Sequence, residues 1–194
     1  MRIIAATKNK GKIKEIQAIF APLGFTVISQ AEEGIDLDVE ETGTTFLENS
    51  LLKARAVHEA SGEAVIADDS GLMVDALGGA PGVYSARYAG ENATDFERMT
   101  KLLAEMSGKE NRTASFTSVV SMILADGREF SAEGKVIGEI CREMHGENGF
   151  GYDPIFFADE LGKTFGEASD EEKNRISHRS RALTALYEQV KGKI

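Results

Sequence analysis

Residues 2–29, RIIAATKNKGKIKEIQAIFAPLGFTVIS, decide the class of fold. Residues 2–7 and 25–29 are short, mainly apolar runs of the kind that form buried strands. Between them, until a proline and a glycine interrupt the pattern, apolar residues recur at helical spacing at Ile13, Ile16, Ile19 and Phe20. A strand, a helix and a second strand in this order predict a parallel pair with a right-handed crossover.

The following segment predicts a second helix and a third strand. Thr45 and Glu48 have the spacing of a capping box, and the helix that they begin is expected to end near Gly62. Residues 64–67 then read as a short buried strand that ends at the acidic pair Asp68 and Asp69. The chain is expected to turn immediately after this pair, at Ser70-Gly71.

Patterns in the second half complete a mixed α/β class, with parallel strands early and antiparallel strands late. Thr94 and Glu97 predict a third helix. Its expected apolar face consists of Phe96, Met99, Leu103 and Met106. Residues 113–124 and 128–135 predict a β-hairpin, and a last helix begins near Ser177. No linker separates independent domains, so residues 1–194 are expected to form a single domain with room for two lobes.

Composition and charge exclude several classes of protein. The chain has 194 residues, of which 42% are hydrophobic, and a single cysteine, Cys141, which excludes an internal disulfide framework. The sequence has no signal-peptide core and no membrane-length apolar run, so we expect a soluble cytoplasmic protein without a membrane partner. A formal net charge of -10 disfavours nucleic acid as a partner, since the overall field repels phosphate polymers.

Three early segments together favour a metal–phosphate site. Residues 7–12, TKNKGK, lie where a strand passes into a helix, and a helix start attracts phosphate through its N–H groups and dipole. Asp68 and Asp69 are carboxylates whose repulsion a cation would relieve, and Mg²⁺ suits such ligands. The Glu40-Glu41 loop precedes a helix that carries Asn49 and Lys53 one turn apart. Taken singly, each segment is also explained by solvated lysines, a solvated acidic loop or a polar strand exit.

Two later segments could recognise a base. In residues 149–154, GFGYDP, Phe150 or Tyr152 could stack on a ring and Asp153 could accept hydrogen bonds from ring N–H groups, although core-packed aromatics explain the pattern equally well. His178 and Arg179 can donate to a carbonyl oxygen, or can simply form a basic helix start. A hydrolytic triad of Ser70, His178 and an aspartate is disfavoured because the Gly-x-Ser-x-Gly elbow is missing.

The ordered set of segments resembles the inosine triphosphate pyrophosphatase family, in particular its bacterial dITP/XTP branch. The matching stretches are residues 7–12, 41–43, 46–53, 67–72, 77–87, 149–157 and 176–179. The resemblance implies an elongated two-lobed α/β fold around a central mixed sheet, with the nucleotide cleft between the lobes, and a homodimer. It also implies Mg²⁺-dependent hydrolysis of ITP, dITP and XTP to the monophosphate and pyrophosphate.

The resemblance also implies roles for individual residues. Asp69 is the expected proton acceptor, Lys53 acts with it on the phosphates, and Ser70 contacts the substrate. The expected triphosphate grip consists of Thr7, Lys8, Asn9, Lys10, Gly11, Lys12 and Lys53. Glu40 and Asp69 are the expected magnesium ligands, with Glu41 and Asp68 as alternates. The base is expected to contact Phe150, Gly151, Tyr152, Asp153, Lys173, His178 and Arg179.

Two other functions remain open. The first is a pyrophosphatase for modified pyrimidine nucleotides on a similar fold. The second is a module that binds a nucleotide without cleaving it. Donors paired with an acceptor at the base would favour a 6-oxo purine over adenine.

Overall fold

The computed structural model describes residues 1–193 and has a mixed α/β architecture, as the sequence predicts. Its strands are β1 Arg2–Ala5, β2 Thr26–Ser29, β3 Val65–Val74, β4 Thr113–Ile123, β5 Glu129–Ile140, β6 Phe156–Ala158 and β7 Lys163–Thr164. Its α-helices are α1 Lys10–Phe20, α2 Phe46–Ser61, α3 Asp95–Glu105, α4 Asp170–Ile176 and α5 His178–Val190.

The seven strands form one sheet in the order β2-β1-β3-β4-β5-β6-β7. β1 pairs in parallel with both β2 and β3, which confirms the predicted parallel start. At the other end of the sheet, β5 pairs with β6 and β6 with β7 in antiparallel fashion. The predicted hairpin is present as β4 and β5, which are neighbours joined through a turn at Gly127, but β5 extends five residues beyond its predicted end at 135.

Side-chain caps explain where the early helices begin. Asn9 caps α1 through its side-chain oxygen, and Gly24, at φ 85°, ends the 3₁₀ turn that follows the helix. α2 has the complete predicted capping box, in which Thr45 accepts from the backbone of Glu48 and Glu48 accepts in return. The cap of α2 is the one that the sequence predicts, whereas the prediction of α1 rests on its apolar spacing.

Two predictions about the elements are wrong. β3 does not end at Asp68 but continues to Val74, so the expected turn at Ser70-Gly71 is absent. In α3 the predicted apolar face is partly wrong because Phe96 is 65% exposed, whereas Leu102, which was not predicted, is fully buried with Met99 and Met106. The first turn of α3 therefore directs its aromatic ring towards solvent.

The buried residues divide into clusters that lie within two compact units of the chain. The first unit contains residues 1–69, 118–134 and those from 178 onward, and the second contains residues 70–117 and 135–177. In the first unit, Ile66 belongs to a cluster with α1 and α5, whereas Val65 and Ala67 belong to a cluster with α2. The cluster of the second unit combines aliphatic side chains with aromatic ones, among them Phe116, Phe156 and Phe165. Among residues 1–193, no helix is both long and apolar enough to span a membrane.

Candidate functional site

The acidic pair lies inside β3, where its two carboxylates face opposite sides of the strand. Successive side chains of a continuous strand alternate in direction, so Asp68 follows Ile66 towards α1 and α5, and Asp69 follows Ala67 towards α2. The expectation that the two carboxylates converge is therefore wrong, since it depended on a turn that the chain does not make. Each aspartate has its own set of partners.

Asp68 lies in a buried network of charges. Arg179 Nε donates to Asp68 Oδ2 at 3.0 Å, and the same guanidinium donates to Glu15. Lys12 Nζ lies 3.2 Å from Asp68 Oδ1. Burial alone would raise the pKa of Asp68, but the charges of Arg179, Lys12 and Lys53 outweigh it and hold the pKa well below its usual range. Asp68 is consequently an ionised anchor for two cations.

Asp69 shares Lys53 with the acidic loop that precedes α2. Lys53 Nζ donates to Glu41 Oε1 at 2.5 Å and to Asp69 Oδ1 at 3.3 Å. Asn49 Nδ2 donates to Asp69 Oδ2 at 3.2 Å. Burial raises the pKa of Asp69, and Glu41 adds to the rise while Lys53 opposes it. A carboxylate with a raised pKa beside a cation is the arrangement expected of a general base near phosphate.

The helix start at residues 7–12 is already capped from within the chain. Asn9 Oδ1 accepts from Gly11 N at 2.9 Å and from Lys12 N at 3.2 Å, and Thr7 Oγ1 accepts from Asn9 N. A phosphate that used these N–H groups would have to displace the Asn9 side chain. Lys8 pairs with the exposed Asp36 at 3.2 Å, and Lys10 is exposed. The predicted triphosphate grip thus remains a prediction, in which Lys12 pairs with Asp68 and Lys53 pairs with Asp69.

In the second unit, the loop at residues 149–153 is built around a buried ion pair. Asp153 Oδ2 accepts from Lys173 Nζ at 2.7 Å and from Phe150 N at 2.9 Å. The same ammonium lies 4.5 Å from the centroid of the Phe150 ring. A side chain on Gly149 would place its Cβ 2.0 Å from Asp153 Oδ2, so this position requires glycine. The pair presents one acceptor and one donor group in the segment expected to contact the base.

Tyr152 and Arg179 have structural partners. Tyr152 is buried in the aromatic cluster of the second unit, and its hydroxyl donates to Ser85 O at 2.8 Å. This is the core packing that the sequence left open as an alternative to stacking. Arg179 is fully buried in the first unit, where its guanidinium binds Asp68 and Glu15. His178, the preceding residue, is also buried. Their expected contacts with the base, like those of Gly151 and Ser70, remain predictions.

Comparison with known proteins identifies the family. The sequence pattern of the Ham1 family matches residues 3–189. The chain belongs to the Ham1 family. It is 51% identical to the dITP/XTP pyrophosphatase of Haemophilus influenzae over 189 residues, covering 95% of this chain and 96% of that one. It is 50% identical to the enzyme of the same name from Bacillus subtilis over 185 residues, covering 94% and 93%.

A solved structure agrees with this assignment. The Ham1 protein of Staphylococcus aureus superimposes with a TM-score of 0.89 at 46% identity, covering 100% of both chains. The family resemblance and the fold class predicted from the sequence are thereby confirmed.

The donor set on the α2 side of this Ham1 chain suits a hard cation. Glu41 Oε1 and Asp69 Oδ1 lie close enough to share one ammonium group, that of Lys53. Two carboxylates with waters and substrate oxygens are the ligands that Mg²⁺ usually takes. Within residues 1–193, no three histidine, cysteine or acidic side chains form a metal cluster by themselves. Glu40 is exposed, so the carboxylate that the structure brings towards Asp69 is that of Glu41.

Three residues of this Ham1 chain that bind the predicted site residues were not predicted from the sequence. Glu15 binds Arg179, Ser85 accepts from Tyr152, and Asp95 Oδ2 accepts from Gly151 N at 2.7 Å. Glu15 had a weak signal, an acid next to Ile16 on the apolar side of α1. Asp95 and Ser85 had none, because their partners lie 56 and 67 residues away along the chain.

Proposed function

We propose that this protein hydrolyses deaminated purine nucleoside triphosphates, namely ITP, dITP and XTP, to the monophosphate and pyrophosphate. The observation that carries the proposal is the buried Asp69 carboxylate sharing Lys53 with Glu41. A carboxylate in contact with a cation can activate water where phosphate charge is also neutralised. The dITP/XTP pyrophosphatases of H. influenzae and B. subtilis, each about half identical to this chain, support the substrate class.

The reaction would be a displacement at the α-phosphorus. Asp69 accepts a proton from the attacking water, whose oxygen forms the new bond to phosphorus. The bond from phosphorus to the α,β-bridging oxygen breaks, and the electron pair leaves with pyrophosphate. Lys53 and Lys12 bring positive charge to the triphosphate, while Asp68 holds Lys12 in place. No covalent intermediate with the protein is required.

We further propose that the reaction depends on Mg²⁺. Glu41 and Asp69 would hold the ion, with Glu40 and Asp68 as less favoured ligands, since Glu40 is exposed and Asp68 faces the other side of β3. When bound, the ion would neutralise phosphate oxygens and thereby favour departure of pyrophosphate. Lys53 would then exchange part of its present pairing with Glu41 and Asp69 for contact with the substrate.

Selectivity for the base would come from paired donors and acceptors. Hypoxanthine and xanthine present a 6-oxo acceptor beside an N1–H donor, whereas adenine presents the reverse. In the segments that the family resemblance assigns to the base, Asp153 is an acceptor, and Lys173, His178 and Arg179 are donors. A buried mismatch of this kind can discriminate by about 10⁴-fold. A panel of ITP, XTP, ATP, dUTP and methylated pyrimidine triphosphates separates this proposal from a pyrimidine-specific enzyme.

The role of Asp69 is tested by Asp69→Asn, with the exposed Asp159→Asn as the matched control. Removing the proton acceptor should reduce kcat on ITP by at least about 100-fold, the scale of general-base catalysis, while the control keeps wild-type kcat. Initial rates at saturating ITP and Mg²⁺ give the comparison. Near-normal kcat in Asp69→Asn contradicts the role. Intact triphosphate after long incubation with the wild-type protein would instead favour a binding module.

We also propose a homodimer in the cytoplasm, in accordance with the family resemblance. Sedimentation of the full chain at micromolar concentration should give twice the mass of one chain. A single species with the mass of one chain contradicts the homodimer. Fractionation of cells that express the protein at its native level should place it with cytoplasmic markers.

A further inference from the structure

Asn49 connects the two acidic segments of the candidate site. It is fully buried on α2, one turn before Lys53. Its Nδ2 donates to Asp69 Oδ2 at 3.2 Å, and its Oδ1 accepts from Gly43 N at 2.8 Å. Gly43 is two residues beyond Glu41 in the loop that leads into α2. One side chain thus touches both the buried strand and the acidic loop.

Among side chains of this size, only an amide can make both contacts. Gly43 N is a donor, so it requires an acceptor, and the Asp69 carboxylate is an acceptor, so it requires a donor. Aspartate at position 49 would keep the first contact but set a second carboxylate against Asp69. Alanine would leave Asp69 Oδ2 and Gly43 N without this partner.

The contact also determines the orientation of Asp69. Its two oxygens are divided between residues one turn apart on α2, with Oδ2 on Asn49 and Oδ1 on Lys53. Two directional contacts on the two oxygens of one carboxylate restrict rotation of its plane. Lys53 divides its ammonium between Glu41 and Asp69, whereas the Asn49 amide is fixed by its second bond to the backbone.

Close packing at Gly43 fixes the position of the acidic loop relative to α2. A Cβ on Gly43 would lie 2.6 Å from Asn49 Oδ1 and 2.6 Å from Glu48 Cβ, so the loop backbone lies directly against the first turn of the helix. Since Glu41 is two residues away, the position of its carboxylate relative to Asp69 depends on this contact. The Asn49 amide therefore sets the spacing between the two carboxylates that share Lys53.

We propose that Asn49 is a positioning residue, whose amide holds the Asp69 carboxylate and the Glu41 loop in the arrangement needed for hydrolysis. This inference rests on the proposed function. Asn49 acts through Asp69 and Glu41 and does not itself touch the substrate. Its loss should lower the rate of the chemical step more than it weakens binding of the triphosphate.

The test uses Asn49→Asp and Asn49→Ala, with Ser50→Ala as the matched control. Ser50 is the next residue on α2 and is equally buried, but its hydroxyl contacts Ser121 and the backbone of Leu47 instead of Asp69. We expect kcat on ITP to fall at least about tenfold in both Asn49 variants, the scale of a lost hydrogen bond to a charged group. KM should change less than about threefold, and Ser50→Ala should keep wild-type kcat.

A second readout does not depend on activity. Crystal structures of Asn49→Ala and Ser50→Ala should show the Asp69 carboxylate rotated and Gly43 displaced in the first variant alone. Equal kcat in Asn49→Ala and Ser50→Ala, or an unmoved Asp69 and Gly43 in Asn49→Ala, overturns the inference. A wild-type protein that releases no pyrophosphate contradicts the proposed function instead, and the crystal structures then still decide the position of Asp69. If Asn49→Ala does not fold, Asn49→Asp, which keeps the Gly43 contact, is compared with Ser50→Ala for kcat and for the orientation of the Asp69 carboxylate alone.

Discussion

Asp68 and Asp69 are adjacent in sequence, yet the structure pairs their carboxylates with different side chains. Asp68 is held by Arg179 and Lys12 in a network that also contains Glu15, whereas Asp69 contacts Asn49 and Lys53. Removing one partner of a buried ion pair strongly destabilises the fold. Removing a carboxylate that accepts a proton from the attacking water instead lowers the rate of the reaction. Asp68 is therefore expected to matter chiefly for stability, and Asp69 for turnover.

Asp68→Asn should lower the free energy of unfolding by about 3 kcal/mol, because Arg179 and Lys12 lose a buried counter-charge. Asp36→Asn is the control, since Asp36 also pairs with a lysine at 3.2 Å but has a side chain that is 97% exposed. This control should show no resolvable change. Urea denaturation of both variants makes the comparison. Equal stability of Asp68→Asn and Asp36→Asn would contradict the buried network.

At the scale of elements, α2, α3 and α4 each begin with a capping box. Two of these were predicted from spacing alone, and the third, Ser169 with Glu172, has the same spacing but was missed. α4 has seven residues and too few apolar positions to show helical periodicity. Its capping box is therefore the local pattern that indicates a helix. β6 and β7 were also missed, because strands of three and two residues are too short to show a periodic pattern.

Thr45→Ala should lower the free energy of unfolding by about 1 kcal/mol, because the backbone N–H of Glu48 loses its side-chain acceptor. Thr100→Ala, at an exposed position inside α3, should leave stability unchanged or slightly increased, since alanine is the better helix former. Thermal unfolding followed by circular dichroism distinguishes the two. A loss of equal size in both variants would show that the cap contributes nothing specific.

The cap of α4 predicts a dependence on acid. Lys163 and the Ser169 backbone bind Glu172 and lower its pKa from 4.5 to about 2. A lowered pKa in the folded state means that the contribution to stability is present above about pH 4.5 and is lost as the pH falls towards 2. The stability difference between wild type and Glu172→Gln should accordingly shrink over this range. Urea denaturation of both proteins between pH 4.5 and 2 measures this difference, and a difference of constant size would contradict the prediction.

At the scale of the whole molecule, the sequence predicted the class of fold and the segments of the site, but not which residues pair within it. The strands and helices of the first 67 residues follow local periodicity. Arg179 and Asp68, however, are 111 positions apart, and no local pattern shows that they bind each other. The sequence predicts that the strand ends at Asp68 and Asp69, because buried charges are rare in strands. Their burial inside β3 is explained by partners that lie far away along the chain.

The measurement that tests the account most directly is the identity of the products formed from ITP in the presence of Mg²⁺. The wild-type protein should release IMP and pyrophosphate in equal amounts, because attack at the α-phosphorus breaks the bond to the α,β-bridging oxygen. Chromatography of the nucleotides together with a pyrophosphate-specific assay gives both quantities. Release of IDP and inorganic phosphate, or no cleavage of ITP at all, would contradict the account.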